Sequence, residues 1–390
     1  MTVVAVNNAR ILILGGYGAA GRLIARHLLA RTGANVILAG RSIDRARTVA
    51  GELNAEFAGA RASSAMVEAA DERGLREALR DAQLLVVSAP TTRHTEGVVR
   101  AALDAGVDYL DIQLSDAKLA VLRSFASRIE QEGRCFITEA GFHPGLPSAM
   151  VRYAANQVGD IEAATVACYL NVGTSLPYSE AADELMEVFG NYQAQVFRDG
   201  AWTKKGSFTS TAVEFGGDIG RRRCYPMFFE ELRALPGMFP ALRNAGFYIA
   251  DSHWLVDWVL VPLAILGMKI APRLTIRPAG KLVWWGMRTF SRPPAVVHLR
   301  VEARGRLHGT PVTAVATVSH DDAYELTAIP VVAYLLQYLD GSARRHGLWM
   351  MGHIAEPVRL FRDMAELGAR VTSTATPDVT AASGAPLRFR

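Results

Sequence analysis

Apolar and polar positions along this chain follow two periods, and the first 140 residues alternate between them. Residues 11–14 (Ile-Leu-Ile-Leu) form a short unbroken apolar run, the pattern of a strand buried on both faces, and they lead straight into a glycine cluster. Beyond the glycines, Ile24, Ala25, Leu28 and Leu29 recur at helical spacing. The alternation then repeats. Residues 35–42 read as a second strand, 65–69 as a short third ending at Asp71, 84–87 as a fourth, 107–112 as a fifth and 134–138 as a sixth. Helices are predicted between them, through Leu75 and Leu79, over 95–103 and over 117–132. Strands alternating with helices in this way predict an α/β fold with a doubly wound parallel sheet.

A turn-rich stretch, residues 139–148, follows the sixth strand and opens a helix over 148–156. Beyond it the pattern changes. Residues 161–170 and 296–303 read as sheet strands, 307–318 as a hairpin turning at Gly309-Thr310, and 177–180 as a helix start with Ser179 as its cap. Helices are predicted over 324–338 and 358–367. The expected division is a nucleotide-binding domain over 1–145 and a second α/β (α+β) domain, for substrate and dimerisation, over 146–325. C-terminal helices over 326–370 are expected to pack back on the first domain. Residues 371–390, rich in Thr, Ala, Ser, Gly and Pro, are expected to be disordered.

The glycine cluster Gly15-Gly16-Tyr17-Gly18-Ala19-Ala20-Gly21 changes this picture from fold to chemistry. Gly16, Gly18 and Gly21 carry G-x-G-x-x-G spacing between a strand and a helix. The first glycine is read as making the turn, the second as admitting a pyrophosphate to the backbone, and the third as letting helix and strand pack closely. The helix N-terminus supplies unpaired N–H donors and partial positive charge. At the end of the second strand, where NAD sites place an acid for the ribose 2′-hydroxyl, this chain has Gly40-Arg41-Ser42. A guanidinium pairs with a 2′-phosphate that a carboxylate would repel, so the expected cofactor is NADP(H), with Arg45 assisting. The plainer alternative is that Arg41 only opens a solvated helix. Ser88-Ala89-Pro90, at the end of the fourth strand, lets the backbone pass close to the ribose and nicotinamide. Asp71 flanks the adenine or caps a helix.

Composition narrows the classes. The 390 residues carry 42 Lys and Arg against 38 Asp and Glu, a formal charge of +4, which gives no support to a nucleic-acid partner. Three separated cysteines form no C-x-x-C pair, which argues against disulfides and structural zinc and fits a reducing compartment. No long apolar run precedes the first strand, so a secretory signal is not expected and the location is read as cytoplasmic. No G-x-S-x-G elbow and no metal-ligand cluster is present, which sets aside hydrolase and metalloenzyme readings.

Hydride transfer needs one proton donor or acceptor near the ends of the fourth to sixth strands. His143, in the turn-rich loop, is the first candidate because an imidazole titrates near neutrality; capping the next helix is its plainer alternative. Asp111 orients a donor, binds a substrate amine, or braces a loop. Tyr178 is the third candidate, and His94 is read as exposed. Residues 254–268 are nearly all apolar, with Lys269, Arg273, Lys281 and Arg288 behind them and Trp284-Trp285 between. Asp257 and Pro262 interrupt a run already shorter than the ~20 residues a spanning helix needs. The segment is read either as peripheral contact with an anionic membrane surface or as a buried helix pair at a subunit interface or pocket wall.

Taken together, four features resemble the saccharopine dehydrogenase-like family of NADP-dependent oxidoreductases, in particular its saccharopine reductase and trans-acting enoyl reductase branches. They are Gly15–Gly21, the Ala39-Gly40-Arg41-Ser42 corner, residues 101–111 (Ala-Ala-Leu-Asp-Ala-Gly-Val-Asp-Tyr-Leu-Asp), and residues 140–146 (Ala-Gly-Phe-His-Pro-Gly-Leu). The resemblance is strong over about 150 residues and fainter through 177–179 and 357–361. It implies a Rossmann domain joined to an α/β domain with a broad mixed sheet. It also implies reduction of a C=C or C=N bond in a hydrophobic or amino-acid-derived small molecule. His143 stands where the family often has an aspartate, and Ser88-Ala89-Pro90 where it often has Ala-Gly-Pro. Arg152 and Arg221-Arg222-Arg223 are the available carboxylate binders for a polar substrate, while the apolar 254–292 segment points toward a hydrophobic one. A homodimer is expected. The reading from another class is a non-catalytic NADP-binding redox sensor or scaffold.

Overall fold

The computed structural model describes residues 4–173, 186, 192, 194–204, 206 and 209–377. The chain divides into two compact units, one of residues 1–146 with 323–368, the other of 147–322 with the segment from 369 onward.

The first unit opens with β1 (Val4–Leu14), α1 (Ala19–Arg31), β2 (Thr32–Gly40), α2 (Ile43–Glu56), β3 (Ala62–Met66), α3 (Glu72–Leu79) and β4 (Leu84–Val87). It continues through α4 (Thr95–Asp104), β5 (Asp108–Asp111), α5 (Asp116–Ser124), α6 (Ala126–Gln131) and β6 (Cys135–Thr138). The six strands are parallel and lie in the order β6-β5-β4-β1-β2-β3. Both faces of the central strands carry helices, so Ile11, Leu12, Ile13 and Leu84 to Val87 are all fully or almost fully buried. From β1 the chain builds outward in one direction through β2 and β3, then crosses back to β4 and builds in the other. The carboxyl ends of β1 and β4 therefore flank the switch point where such sheets bind ligands.

The second unit is built on α7 (Leu146–Val158), β7 (Asp160–Asn171), β8 (Gln195–Arg198), β9 (Ala201–Lys204), β10 (Thr211–Glu214), β11 (Arg221–Met227) and β12 (Asn244–Ala250). A helical pair, α8 (Val261–Ile270) and α9 (Pro272–Thr289), precedes the long hairpin β13 (Val296–Leu307) and β14 (Thr310–His320). The hairpin turns at His308-Gly309, both at positive φ (51° and 81°), the geometry that matches strand twist. The first turn of α7 is capped from elsewhere in this unit: the fully buried Glu231 carboxylate accepts from the Ser148 amide (3.0 Å) and hydroxyl (2.5 Å).

The chain then returns to the first unit as α10 (Ala323–Leu339), β15 (Gly347–Met350) and α11 (Pro357–Glu366), and ends in the second as β16 (Arg370–Pro377). β15 adds to the edge beside β6 as a seventh parallel strand. β16 pairs antiparallel with β14 in a nine-stranded mixed sheet, whose main path runs β10-β11-β12-β7-β13-β14-β16 with β8 and β9 branching from β12. A buried carboxylate anchors the returning segment: Asp108, at the start of β5, accepts from Tyr338 Oη (2.7 Å), Arg344 Nε (2.8 Å) and the Cys135 amide (3.0 Å). Arg31 of α1 reaches Glu366 of α11 at 2.5 Å.

Four expectations are corrected. The six-strand sheet has a seventh strand, because the four-residue Leu-Trp-containing stretch at 347–350 is too short to carry a period. The third strand is Ala62–Met66, placed earlier by its pairing with β2, and Asp71 is the N-cap of α3, accepting from the Gly74 amide at 3.0 Å. The helix over 117–132 is two helices meeting at Phe125. Residues 371–377, expected to be disordered, form β16, since the open edge of β14 pairs a Thr- and Val-containing segment whatever its surface polarity.

Candidate functional site

β1 ends at Leu14 and the chain reverses in a tight turn. The Gly15 amide donates to Ala39 O (2.7 Å), Gly16 to Ile13 O (3.0 Å) and Gly18 to Gly15 O (2.8 Å). The turn is made by Gly15, whose φ of +86° suits glycine, and not by Gly16 as the spacing suggested. Gly16 instead seats the turn on β2, where a Cβ would lie 2.9 Å from Leu38 Cα. Gly21 has the close-packing role read for it: a Cβ would fall 2.3 Å from Gly15 O and 2.5 Å from Ser88 Oγ. Gly18 is the N-cap of α1 and has no side chain to satisfy the helix end. Arg22 N is the first amide to bond back, to Gly18 O (3.0 Å). Among the described residues the amides of Ala19, Ala20 and Gly21 have no acceptor. The result is an uncapped helix N-terminus beneath a glycine turn, fitted to an anion.

Tyr17 connects this turn to the end of β2. Its ring occupies the space beside Gly40, where a Cβ would approach to 2.6 Å, and its hydroxyl accepts from the Ser42 amide at 3.0 Å. The Arg45 guanidinium lies 4.8 Å from the centre of the ring. Ser42 caps α2 by accepting from Arg45 N (3.4 Å), which leaves its hydroxyl proton available. Arg41 is exposed, with no acidic partner among the described residues, while Asp44 lies 3.8 Å from the Arg47 guanidinium. The corner thus carries cations and no carboxylate aimed inward.

At the end of β4, Ser88 N (2.9 Å) and Oγ (3.1 Å) both donate to Leu14 O, and Ala89 packs where Gly15 lacks a side chain. Pro90 is exposed. The glycine turn, Ser88, Ala89, Tyr17, Gly40 and Ser42 are therefore brought into one continuous surface.

The catalytic candidates fare differently. Asp111 is fully buried, and its oxygens accept from Lys118 Nζ (2.6 Å), Thr138 Oγ1 (2.9 Å) and the Gln113 amide (3.2 Å). Lys118 Nζ also donates to Gln113 O (2.5 Å), and Gln113 Nε2 donates to Ala89 O (2.6 Å). With both oxygens held internally, Asp111 braces the strand ends; the bracing alternative describes it. His143 packs against Phe142 with the rings tilted by 39° and their centres 4.0 Å apart, and burial pushes its pKa down to about 4. It is neutral at pH 7, which corrects the expectation that it titrates near neutrality. Tyr178 lies outside the described residues. His94 is exposed, as expected.

Sequence reasoning missed two residues. Lys118 is buried beside Asp111, although its place in a polar-looking helix gave no sign of it. Glu139 is buried at φ +54°, directly after β6. Its signal was available: a lone carboxylate following an apolar strand at the ligand-binding edge.

Residues 11–135 match the family model described as the saccharopine dehydrogenase NADP binding domain. The first unit contains a saccharopine dehydrogenase NADP-binding domain. Its cofactor is NADP(H). No curated protein matches the sequence. Among solved structures, the apo histidine-tagged saccharopine dehydrogenase (L-Glu forming) from Saccharomyces cerevisiae superposes with a TM-score of 0.68 at 14% identity, covering 94% of this chain and 100% of that one. A dehydrogenase from Chromobacterium violaceum covers 93% of each chain at 10% identity and TM-score 0.44. A short-chain type dehydrogenase/reductase from Mycobacterium ulcerans covers 34% of this chain and 67% of its own at 17% identity and TM-score 0.31. The yeast structure establishes the shared fold, while the other two are too distant to support more. In this NADP-binding domain the residues present suit the cofactor: a diphosphate at the start of α1 would meet amides without an acceptor among the described residues, and a 2′-phosphate at the end of β2 would meet no carboxylate.

Proposed function

We propose that the protein is an NADPH-dependent reductase that delivers hydride to a C=C or C=N bond, with a hydrophobic, enoyl-type substrate favoured over an amino-acid-derived imine. The observation that carries this reading is the uncapped N-terminus of α1 beside the acid-free Gly40-Arg41-Ser42 corner. Bound there, the reduced nicotinamide supplies the hydride. The chain's own residues do the rest. The amides of Ala19, Ala20 and Gly21 would hold the diphosphate, with Gly18 keeping a side chain away from the helix end. Arg41 pairs with the 2′-phosphate, Arg45 and Tyr17 form a flat cationic wall beside it, and the Ser42 hydroxyl donates. Ser88, Ala89 and Pro90 bring backbone close to the ribose, and the Asp111–Lys118–Gln113 network fixes that backbone. The weighting toward a hydrophobic substrate rests on the apolar 254–292 segment and on His143 standing where the family often has an acid.

The test follows NADPH absorbance with enoyl thioesters of increasing chain length and with mixtures of 2-oxo acids and amines. Turnover that improves with chain length is expected, whereas turnover only with the polar imines would overturn the substrate preference. A second reading, NADP(H) binding without turnover as a redox sensor or scaffold, is favoured by one observation: the Asp111 oxygens are already engaged by Lys118 Nζ, Thr138 Oγ1 and the Gln113 amide. Tight NADPH binding with no consumption by either panel would establish it.

A further inference from the structure

The segment 254–292 folds as a helical pair that leaves much of its apolar surface uncovered. A single π-helical turn (Val256–Leu260) leads into α8, and α9 folds back against both. The inward stripe is Val256, Leu260, Ala264 and Met268, which meets Ala279 and Val283 of α9. α9 approaches the π-helical turn closely at Gly286, where a Cβ would sit 2.4 Å from Leu260 Cδ1. The opposite stripe is equally apolar and faces outward: Val259, Leu263, Leu266 and Ile270 are 43%, 55%, 54% and 76% exposed. Leu274 and Trp285 extend it on α9, and Trp254 and Trp258 on the approach. These eight are two thirds of the twelve exposed large hydrophobic residues found among the described residues, so the apolar surface is concentrated on one element.

Charge decides what covers this surface. Residues 258–301 contain no Asp or Glu, in a chain with 38 of them, while Lys269, Arg273, Arg277, Lys281, Arg288 and Arg292 all lie within 258–292. Lys269 and Lys281 are exposed. Asp257, the acid just before this stretch, is turned back on the chain, accepting from the Ser252 amide and hydroxyl at 2.9 Å each. A second copy docking by the same face would bring like charges together with no acid to pair them. Among the described residues no helix is long and apolar enough to cross a membrane. An apolar stripe rimmed by tryptophans and cations, with no anions, matches the headgroup boundary of an anionic bilayer.

We propose that the α8–α9 pair is a docking surface for an anionic lipid bilayer, lying in the interface plane with Val259, Leu263, Leu266, Ile270 and Leu274 seated among the acyl chains and Lys269 and Lys281 at the headgroups. This stands apart from the NADP(H) reading, and its test does not use catalysis. The full chain is sedimented with vesicles of phosphatidylcholine alone and with vesicles containing one third phosphatidylglycerol. Sedimentation with the anionic vesicles only, weakened by salt, is expected. Lys269→Glu with Lys281→Glu is expected to lower partitioning on the order of tenfold or more, and Leu263→Glu with Leu266→Glu to abolish it. All four side chains are exposed, so unchanged circular dichroism and thermal midpoint are expected alongside the loss. No sedimentation by the wild-type chain, or equal sedimentation by the variants, would overturn the proposal. So would a vesicle-independent change from dimer to monomer in light scattering on Leu263→Glu with Leu266→Glu, which would assign the face to a second copy. Binding of the wild-type chain to an acidic polypeptide but not to the anionic vesicles would assign it to a protein partner and equally end the lipid assignment.

Discussion

At the scale of single residues, the chemistry turns on which charges are engaged and which are not. Arg41 is exposed without an acidic partner among the described residues, and Arg45 is parked on Tyr17. Arg41→Asp is therefore expected to weaken NADPH binding about tenfold or more, the scale of one lost charge-assisted hydrogen bond, while leaving NADH binding unchanged or improved. Competitive titration with both dinucleotides checks this, and equal loss for the two would show that the 2′-phosphate sits elsewhere. His143 makes a different prediction. An unfolded imidazole keeps its proton up to about pH 6.5, whereas the folded one releases it down to about pH 4. Between those values the unfolded chain binds more protons, so stability rises with pH and falls as acid is added. His298 is pushed down to about 4 by burial as well and contributes the same sign. His143→Gln should accordingly narrow the drop in urea midpoint between pH 7 and pH 5, and an unchanged drop would show that the ring is hydrated. The glycine turn and the acid-free corner were legible because glycine spacing and a missing acid are local signals. Asp111 was not: a carboxylate at a strand end reads the same whether it faces a ligand or, as here, a lysine seven positions on whose burial no short pattern reveals.

Secondary-structure elements were legible in proportion to their burial. β1 and β4 are shielded on both faces, so their apolar runs stood out, and β4 was located to the residue. β15 and β16 were missed because partner strands, not their own composition, make them strands. The meeting of β1, the turn and α1 is the tightest part of the first unit, and the prediction at this scale falls there. In Gly21→Ala the new methyl group meets Gly15 O and Ser88 Oγ inside contact distance, so helix and turn must separate. A loss of about 1–3 kcal/mol is expected from overpacking, together with weaker NADPH binding because the α1 amides move off the diphosphate. Gly51→Ala in α2, where a Cβ meets nothing within 4 Å, serves as the control and should leave binding unchanged and raise stability by up to about 1 kcal/mol through helix propensity. Equal behaviour of the two variants in chemical denaturation would remove the close-packing role from Gly21.

At the scale of the whole molecule, the first unit is discontinuous, and a buried charge holds its late segment in place. Asp108 is inaccessible to water and binds Tyr338 and Arg344, which lie more than 200 residues further along the chain. Asp108→Ala leaves those donors without their acceptor and is expected to cost about 3 kcal/mol. Hydrogen exchange should then rise first across Ala323–Leu339 and Gly347–Met350, and uniform loss of protection would argue against an anchoring role. The helices beyond residue 325 were expected to return to the first domain, but no sequence pattern offered a means of pairing residue 108 with 338. The proposed reductase activity depends on the N-terminal glycine turn and its basic corner holding NADP(H). The most direct measurement is calorimetric titration of the wild-type protein with NADPH and, separately, with NADH. The account predicts saturable one-to-one binding of NADPH at least tenfold tighter than NADH; equal affinity, tighter NADH, or no heat from either would contradict it.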